Sequence, residues 1–145
     1  MRIGLVVSEY HAFVTSGLET GARAALVEAG VTLDDIERFA VPGAYELAQA
    51  AARLSATGRF AGLVCLGCLI RGETPHFDYI AQAAAHGIMR ASQAHLVPIA
   101  FGVLTTNTAD EALARAVAGP ANKGREAALA VVAMARLYAT IAGAS

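Results

Sequence analysis

The chain alternates between short, almost continuously apolar runs and longer stretches in which apolar residues recur every three or four positions. Continuous apolar runs of this length are typical of strands that are covered on both faces. They predict strands over residues 2–8, 60–70 and 97–106, and a second, more polar strand is predicted over residues 35–41. The run over 60–70 is apolar at nearly every position, so we expect that strand at the centre of the sheet.

The longer stretches have the spacing of amphipathic helices. They predict helices over residues 13–30, 44–58, 75–95, 108–118 and 122–143. Gly30 and Gly58 are suited to close the first two helices. Thr74 is expected to cap the third helix with Pro75 at its first helical position, and Asn122 is expected to cap the last.

Strands and helices follow one another in strict alternation along the chain. This order predicts an α/β fold, in which a parallel sheet carries helices on both faces. No linker, repeat or low-complexity stretch interrupts the pattern, so we expect residues 1–145 to form one domain. Ligands of such sheets bind beyond the carboxyl ends of the strands, and the residues that follow each strand are therefore the candidates for a site.

The composition changes the picture of the surface. Charged residues make up only 16% of the chain and hydrophobic residues 56%, and the mean hydropathy is +0.50. A monomer of this size exposes much of its surface and usually carries more charge. We therefore expect that other copies of the chain bury part of that surface, as in obligate oligomers. An alanine-rich, tightly packed monomer is the alternative.

The charge and the apolar segments argue against two classes of partner. The net charge is −1 and no basic stripe is present, so nucleic-acid binding is not expected. The apolar run at the start is too short for a secretory signal, and the apolar stretch over 126–145 carries Arg136 in its middle, which favours a buried helix over a membrane span. We expect a cytoplasmic protein.

Cys65 and Cys68 have the C-x-x-C spacing of redox and zinc sites. They lie inside the predicted central strand, where a three-residue separation directs the two side chains to opposite faces. A zinc site would need two further ligands, and no second pair is present. We interpret both as small buried residues of the core, and we expect no metal site.

The candidate site is the stretch "RGETPH", residues 71–76, which ends the central strand. Gly72 would let the backbone approach a ligand, and free amides at a helix N-terminus bind anions. With Arg71 nearby, the stretch indicates a cradle for a phosphate or carboxylate, and His76 could move protons there near neutral pH. The alternative is an ordinary helix start with a solvated histidine. Polar and aromatic residues also follow the other strands, at 8–11, 41–46 and 105–107, which indicates a small-molecule site; the role of His11 is open.

A second cationic stretch precedes the last helix. Lys123 lies in its first turn, where the helix dipole disfavours cations, so it is a candidate to serve a ligand or partner. Arg115 could bind the same anion, although an ion pair with Glu111 four residues earlier is the alternative. The chain has no G-x-G-x-x-G, Walker or G-x-S-x-G motif, so dinucleotide, ATP and serine-hydrolase sites are not supported.

Four stretches together resemble the 6,7-dimethyl-8-ribityllumazine synthase family: "VPGAYELAQAA", "LGCLIRGETPHFDYI", "PIAFGVLTTNTADEALARA" and "NKGREAAL". The resemblance covers nearly the whole chain. It implies a flavodoxin-like, three-layer α/β/α fold with a four-stranded parallel sheet, and a homopentamer with active sites at the subunit interfaces, which in some members assembles further into an icosahedral shell. It implies small-molecule substrates and neither a cofactor nor a metal.

The implied reaction condenses 5-amino-6-(D-ribitylamino)uracil with 3,4-dihydroxy-2-butanone 4-phosphate in riboflavin biosynthesis. By matching position, His76 falls on the residue that transfers protons, Glu73 and Thr74 on the loop whose amides hold the phosphate, and Arg115 on a phosphate-binding arginine from the neighbouring subunit. Lys123 falls near the phosphate. Contacts to the pyrimidine and the ribityl chain are implied for Tyr10, Ala44, Tyr45, Glu46, Cys68, Leu69, Ile70 and, from the adjacent subunit, Phe101.

The chain departs from the family pattern at a few positions. Tyr10 and His11 stand where phenylalanine and asparagine are common, Tyr45 replaces a frequent phenylalanine, and Ala48 a frequent proline. Hardly any residues precede the first strand, so a contact made by such a segment in the family is not expected. Two rival functions remain: a protein that binds lumazine or a flavin without turnover, and a flavodoxin-like redox or signalling domain.

Overall fold

The computed structural model describes residues 1–143, and its central feature is a four-stranded parallel sheet. The strands are β1 (Ile3–Ser8), β2 (Ile36–Val41), β3 (Gly62–Ile70) and β4 (Ile99–Thr106), in the spatial order β2-β1-β3-β4. Every neighbouring pair is parallel. The prediction that the most apolar strand is central is confirmed, because β3 lies between β1 and β4 and is buried along almost its whole length.

Helices cover both faces of the sheet, which confirms the three-layer α/β/α prediction. They are α1 (Ala12–Glu28), α2 (Leu47–Ala56), α3 (His76–His95), α4 (Ala109–Ala114) and α5 (Lys123–Ile141). One core layer joins α1 and α5 to the sheet, and the other joins α2 and α3 to its opposite face. Among residues 1–143, no helix is both long and apolar enough to cross a lipid bilayer.

The alternation of side chains along β3 explains the two cysteines. Cys68 packs in the layer of α1 and α5, and Cys65 in the layer of α2 and α3. Burial raises the pKa of the Cys65 thiol to about 12 and that of the Cys68 thiol to about 11, so both stay protonated and unreactive. Both thiols are free, in agreement with their interpretation as core residues.

Three helix boundaries differ from the sequence prediction. The helix predicted over 44–58 begins only at Leu47, after a short 3-10 helix over Ala44–Glu46. Thr74 does not cap α3: Pro75 occupies the N-cap position, and no side chain caps the helix. The Pro75 carbonyl accepts the first hydrogen bonds of the helix, from the amides of Asp78 and Tyr79 at 3.0 and 3.4 Å, so α3 begins one residue later than predicted. The predicted helix over 108–118 ends at Ala114, and the chain then turns back so that the Lys123 amide donates to the Arg115 carbonyl at 2.8 Å.

The other caps agree with the sequence. Gly30, with φ of 98°, follows α1, and Gly58, with φ of 71°, follows α2. The side-chain oxygen of Asn122 accepts from the Arg125 amide at 3.0 Å and caps α5. Asn122 is buried, and its Nδ2 donates to the carbonyls of Gly17, Ala116 and Val117 at 3.0–3.1 Å. This residue therefore joins α1, the end of α4 and the start of α5.

Candidate functional site

The carboxyl ends of β1, β2 and β3 and the first turns of α3 surround a cavity of about 850 Å³. This is the place where ligands of parallel α/β sheets bind. Eight of the residues selected from the sequence line it: Tyr10, Ala44, Tyr45, Glu46, Leu69, Ile70, Thr74 and His76. The structure therefore brings together residues as distant in the chain as Tyr10 and His76.

Two tyrosine rings stand at the mouth of this cavity. Tyr10 is 64% exposed and Tyr45 is 53% exposed, and both line the cavity, so their rings are accessible to a ligand that enters it. Their loops are joined by an extension of the β1–β2 ladder, because the Tyr10 amide donates to the Pro42 carbonyl at 3.2 Å. The arrangement offers faces on which a flat heteroaromatic ring can stack.

Glu46 supplies the carboxylate of the cavity wall. Its Oε1 lies beside Gly43: a Cβ added to Gly43 would be only 3.3 Å from this oxygen. The same added Cβ would be 4.0 Å from the Cβ of Tyr10. The Glu46 carboxylate and Tyr10 therefore lie on either side of Gly43. A carboxylate at this position can accept hydrogen bonds from the hydroxyl groups of a polyol chain.

His76 is the first residue of α3, and its exposed side chain belongs to the cavity wall. Leu69 and Ala44 are buried and form part of the apolar floor beneath it. An imidazole beside an open cavity can act as a general acid or base toward a bound molecule. The cavity thus combines a proton carrier, stacking surfaces and an apolar floor.

Arg71 lies outside the cavity lining and acts as a brace for the loop before α3. Its guanidinium lies 3.5 Å from Asp78, 3.3 Å from the Asn107 side-chain oxygen and 4.5 Å from the centre of the Phe77 ring. Its amide donates to the Thr106 carbonyl at 2.8 Å. These contacts fix residues 71–76 between β4 and α3, whereas Glu73 is exposed and does not line the cavity.

Three other residues selected from the sequence lie elsewhere in the chain. Cys68 directs its side chain into the core on the α1 and α5 side of the sheet. Phe101, on the edge strand β4, is 36% exposed and lines a separate cavity of about 490 Å³ with Met89, Met134 and Tyr138. Arg115 follows α4 on another part of the surface.

Arg115 and Lys123 are held together by one carboxylate. The Arg115 guanidinium lies 3.9 Å from Glu126, and the Lys123 ammonium lies 3.2 Å from the same side chain. Arg115 also donates to the Ala121 carbonyl at 3.3 Å. The alternative pairing of Arg115 with Glu111 is wrong, because Glu111 instead accepts from the Asn107 amide at 3.2 Å and Arg115 already lies beyond the end of α4.

Some cavity residues were missed or left open by the sequence. Phe77, Tyr79 and Ile80 line the cavity with His76. Tyr79 and Ile80 follow His76 by three and four residues, and this spacing could have predicted that they share its face of the helix. His11, whose role the sequence left open, also lines the cavity. Among residues 1–143, no three acidic, histidine or cysteine side chains lie close enough together to hold a metal ion.

Comparison with known proteins gives a consistent result. A family model described as 6,7-dimethyl-8-ribityllumazine synthase matches residues 1–139. A 6,7-dimethyl-8-ribityllumazine synthase of Salinibacter ruber is 44% identical over 142 residues, which cover 98% of this chain and 91% of that protein. One of Syntrophus aciditrophicus is 43% identical over 141 residues, with 97% and 92% covered. The 6,7-dimethyl-8-ribityllumazine synthase 1 of Caulobacter vibrioides is 48% identical over 127 residues, with 88% and 83% covered.

Proposed function

The chain belongs to the 6,7-dimethyl-8-ribityllumazine synthase family, and from this premise we propose how its residues perform the reaction. The chain is a transferase of riboflavin biosynthesis. It condenses 5-amino-6-(D-ribitylamino)uracil with 3,4-dihydroxy-2-butanone 4-phosphate, and the products are 6,7-dimethyl-8-ribityllumazine, phosphate and water.

His76 is the proton-transferring residue of this proposal. The reaction passes through imine formation, loss of phosphate, ring closure and dehydration, and each step moves protons between oxygen, nitrogen and carbon atoms of the substrates. The position of His76 in the wall of the cavity, opposite the loops of β1 and β2, is the observation that supports this role. Most of the rate acceleration in this proposal comes from the binding of both substrates in a reactive orientation while protons are transferred.

The pyrimidine and the ribityl chain bind in the cavity of about 850 Å³. Tyr10 and Tyr45 provide stacking faces for the pyrimidine, and Glu46 accepts hydrogen bonds from ribityl hydroxyls. Ala44, Leu69 and Ile70 form the apolar contacts, and Cys68 contributes through its backbone, since its side chain faces the core. The cavity volume falls in the range that is usual for small-molecule sites.

The phosphate of the second substrate binds at the start of α3. Glu73 and Thr74 lie in the loop directly before α3, and their amides, together with the unpaired N–H groups and the dipole of the helix N-terminus, can hold an anion there. Arg115 completes the site from a neighbouring subunit, with Lys123 close by. Arg71 acts indirectly, because its contacts to Asp78, Asn107 and Phe77 hold the loop in place.

The assembly in this proposal is a homopentamer in the cytoplasm, in which each active site is shared by two subunits. Two features of a single chain support the sharing of sites between copies. Arg115 and Phe101 do not line the cavity of His76, which agrees with their supply by a second copy. The edge strand β4 also borders an apolar groove with exposed Met89 and Met134, a surface that a neighbouring subunit can bury.

A two-signal assay tests the reaction. The purified protein is mixed with both substrates, and lumazine absorbance and phosphate release are followed together. Both signals should rise in parallel and well above the uncatalysed rate. In His76→Ala the turnover should fall by about 10²–10⁴-fold, the usual contribution of a general acid–base group, with lumazine affinity within a few-fold. Lumazine binding by the wild type without any turnover would contradict the proposal.

A further inference from the structure

A short turn over residues 9–11 joins β1 to α1 and brings the Tyr10 ring to the wall of the cavity of about 850 Å³. The turn has an uncommon shape, because His11 has a left-handed backbone with φ of 60° and ψ of 45°. A residue with a Cβ keeps this conformation only where its surroundings fix it. The bonds that fix the turn therefore decide where the Tyr10 ring stands.

Backbone hydrogen bonds hold the turn on two sides. Toward β2, the Tyr10 amide donates to the Pro42 carbonyl at 3.2 Å. Toward α1, the His11 carbonyl accepts from the amides of Val14 and Thr15 at 2.9 and 3.1 Å. These three bonds join backbone groups, which almost every residue type supplies. The part of the turn that depends on its sequence is a bond made by a side chain.

That side chain is Thr15, which joins the helix to the strand beneath the turn. Its hydroxyl donates to the Ser8 carbonyl at 2.8 Å, and both residues are buried. A threonine inside a helix often bonds the carbonyl four residues earlier in the same helix, as Thr20 does with Ser16 at 3.0 Å. Thr15 instead bonds a carbonyl seven residues earlier, in the last residue of β1, so its bond closes the turn.

The Tyr10 ring has little packing to hold it in place if the turn moves. The ring is mostly exposed, and the neighbouring ring that it meets, His11 at a centroid distance of 4.4 Å, belongs to the same turn. Thr15 itself lies outside the cavity lining. An effect of Thr15 on ligand binding therefore has to pass through the backbone of residues 8–11.

We infer that Thr15 is a positioning residue for the pyrimidine substrate: its hydroxyl holds the turn between β1 and α1 in the shape that presents the Tyr10 ring to the cavity. This inference rests on the proposed function, in which Tyr10 stacks on the pyrimidine. The phosphate of the other substrate binds at other elements in that proposal, at the start of α3 and at Arg115. Loss of the Thr15 hydroxyl should therefore weaken the binding of the pyrimidine and spare that of the phosphate substrate.

Four variants separate the hydroxyl of Thr15 from its packing. Thr15→Val replaces the hydroxyl by a methyl group of similar size, and Thr15→Ala removes both groups. Thr15→Ser keeps the donor and loses the methyl group. Thr20→Val is the matched control, because it makes the same change on the same helix and breaks a bond within that helix alone. Circular dichroism and thermal unfolding establish that each variant is folded at the temperature of the assays.

Two measurements carry the test: fluorescence titration with 6,7-dimethyl-8-ribityllumazine, and steady-state kinetics with each substrate varied in turn. Thr15→Val and Thr15→Ala should bind lumazine about two- to tenfold more weakly than the wild type, the size of one hydrogen bond. KM for the pyrimidine should rise by a similar factor, while KM for the butanone phosphate stays constant. Thr15→Ser and Thr20→Val should resemble the wild type in all three quantities.

Three results would overturn the inference. They are wild-type lumazine affinity in Thr15→Val, an affinity in Thr15→Ser as low as that in Thr15→Val, and an equal rise of both KM values in Thr15→Val. The first would show that the turn holds without the hydroxyl, the second that packing decides, and the third that the whole site is disturbed. The titration needs no turnover, so it fails independently of the two-signal assay, whose failure in the wild type would instead refute the synthase reaction.

Discussion

At the scale of single residues, Glu126 is the side chain whose charge bears most directly on the proposed binding of phosphate to Arg115 and Lys123. It contacts both Arg115 and Lys123, at 3.9 and 3.2 Å, and is itself mostly exposed. A phosphate that binds to these two cations has to compete with this carboxylate. Glu126 therefore keeps two like charges close together in the free protein and opposes the substrate anion at the same time.

Removal of the Glu126 charge should strengthen phosphate binding. For Glu126→Gln we expect KM for the butanone phosphate to fall by about two- to fivefold, the size of an exposed ion pair, while KM for the pyrimidine stays constant. Glu28→Gln is the matched control, since Glu28 pairs with Arg125 and not with Arg115 or Lys123. Steady-state kinetics with each substrate varied in turn decide the matter, and a rise in the KM of the phosphate substrate would contradict the prediction.

The acidity of His11 gives a second prediction at this scale. Partial burial lowers the pKa of His11 from its ordinary value, so the neutral imidazole is the form that lines the cavity near neutral pH. Lumazine affinity should therefore change little above neutral pH and should fall as the pH decreases, because a proton taken up by His11 adds a charge to the wall that the ligand contacts. His11→Asn retains His76 but not the titrating group, so its affinity should vary less over pH 5.5–7.5. Identical pH profiles for the two proteins would contradict this assignment.

At the scale of elements, the start of α5 is pressed against α1 so closely that only glycine fits. A Cβ at Gly124 would overlap the Leu18 carbonyl, and a Cβ at Gly21 would overlap the side chain of Asn122. This contact sets the position of Lys123, the neighbour of Gly124, and through the Lys123–Arg115 backbone hydrogen bond it also sets that of Arg115. The packing of two helices thus orients the candidate phosphate ligands.

Substitution at Gly124 should therefore be costly. Gly124→Ala forces α5 away from α1, and we expect the free energy of unfolding to fall by about 1–3 kcal/mol, as in other overpacked interiors. Gly72→Ala is the control, because a Cβ at Gly72 would meet no atom within 4 Å; its effect should stay within about 0.5 kcal/mol. Urea unfolding at equal protein concentration measures both. Equal stability of the two variants would show that the helices can separate without cost.

The elements also show what the sequence could and could not predict. All four strands were predicted to within two residues or so. For β1, β3 and β4 the reason is that a strand covered on both faces is apolar along its own length, whereas β2 is partly exposed and more polar. The end of α4 was predicted too late because the buried Asn122 amide binds the carbonyls of Ala116 and Val117, a contact that the local pattern does not contain. The loop residues at the cavity were predicted from their place after strands. The left-handed backbone of His11, with φ of 60°, was not, because it depends on hydrogen bonds that the amides of Val14 and Thr15 donate to its carbonyl.

At the scale of the whole molecule, the candidate site is divided between two regions of the chain. His76 and the two tyrosines lie at the ends of β1, β2 and β3, whereas Arg115 lies beyond α4 and Phe101 on the far edge of the sheet. The low share of charged residues, 16%, and the exposed apolar side chains around β4 are explained together if a second copy covers this edge. In that arrangement a cavity in one subunit receives Arg115 from the next.

Subunit mixing tests this arrangement directly. His76→Ala and Arg115→Ala are each expected to be nearly inactive, the second through loss of a charged hydrogen bond that costs about tenfold to a hundredfold in KM for the phosphate substrate. If sites are shared, a mixed oligomer contains sites with His76 from one variant and Arg115 from the other. Random assembly of equal amounts makes about a quarter of the sites intact.

The mixture should be prepared by unfolding and refolding the two variants together, since separately assembled oligomers need not exchange subunits. Activity at low concentration of the phosphate substrate should then reach about a quarter of the wild-type value, far above the mean of the two variants. A mixture of His76→Ala with Glu46→Gln is the control, because both residues line the same cavity of one chain and no pairing of these subunits restores a site. Activity equal to the mean of the separate variants in the first mixture would show that each chain carries its own complete site.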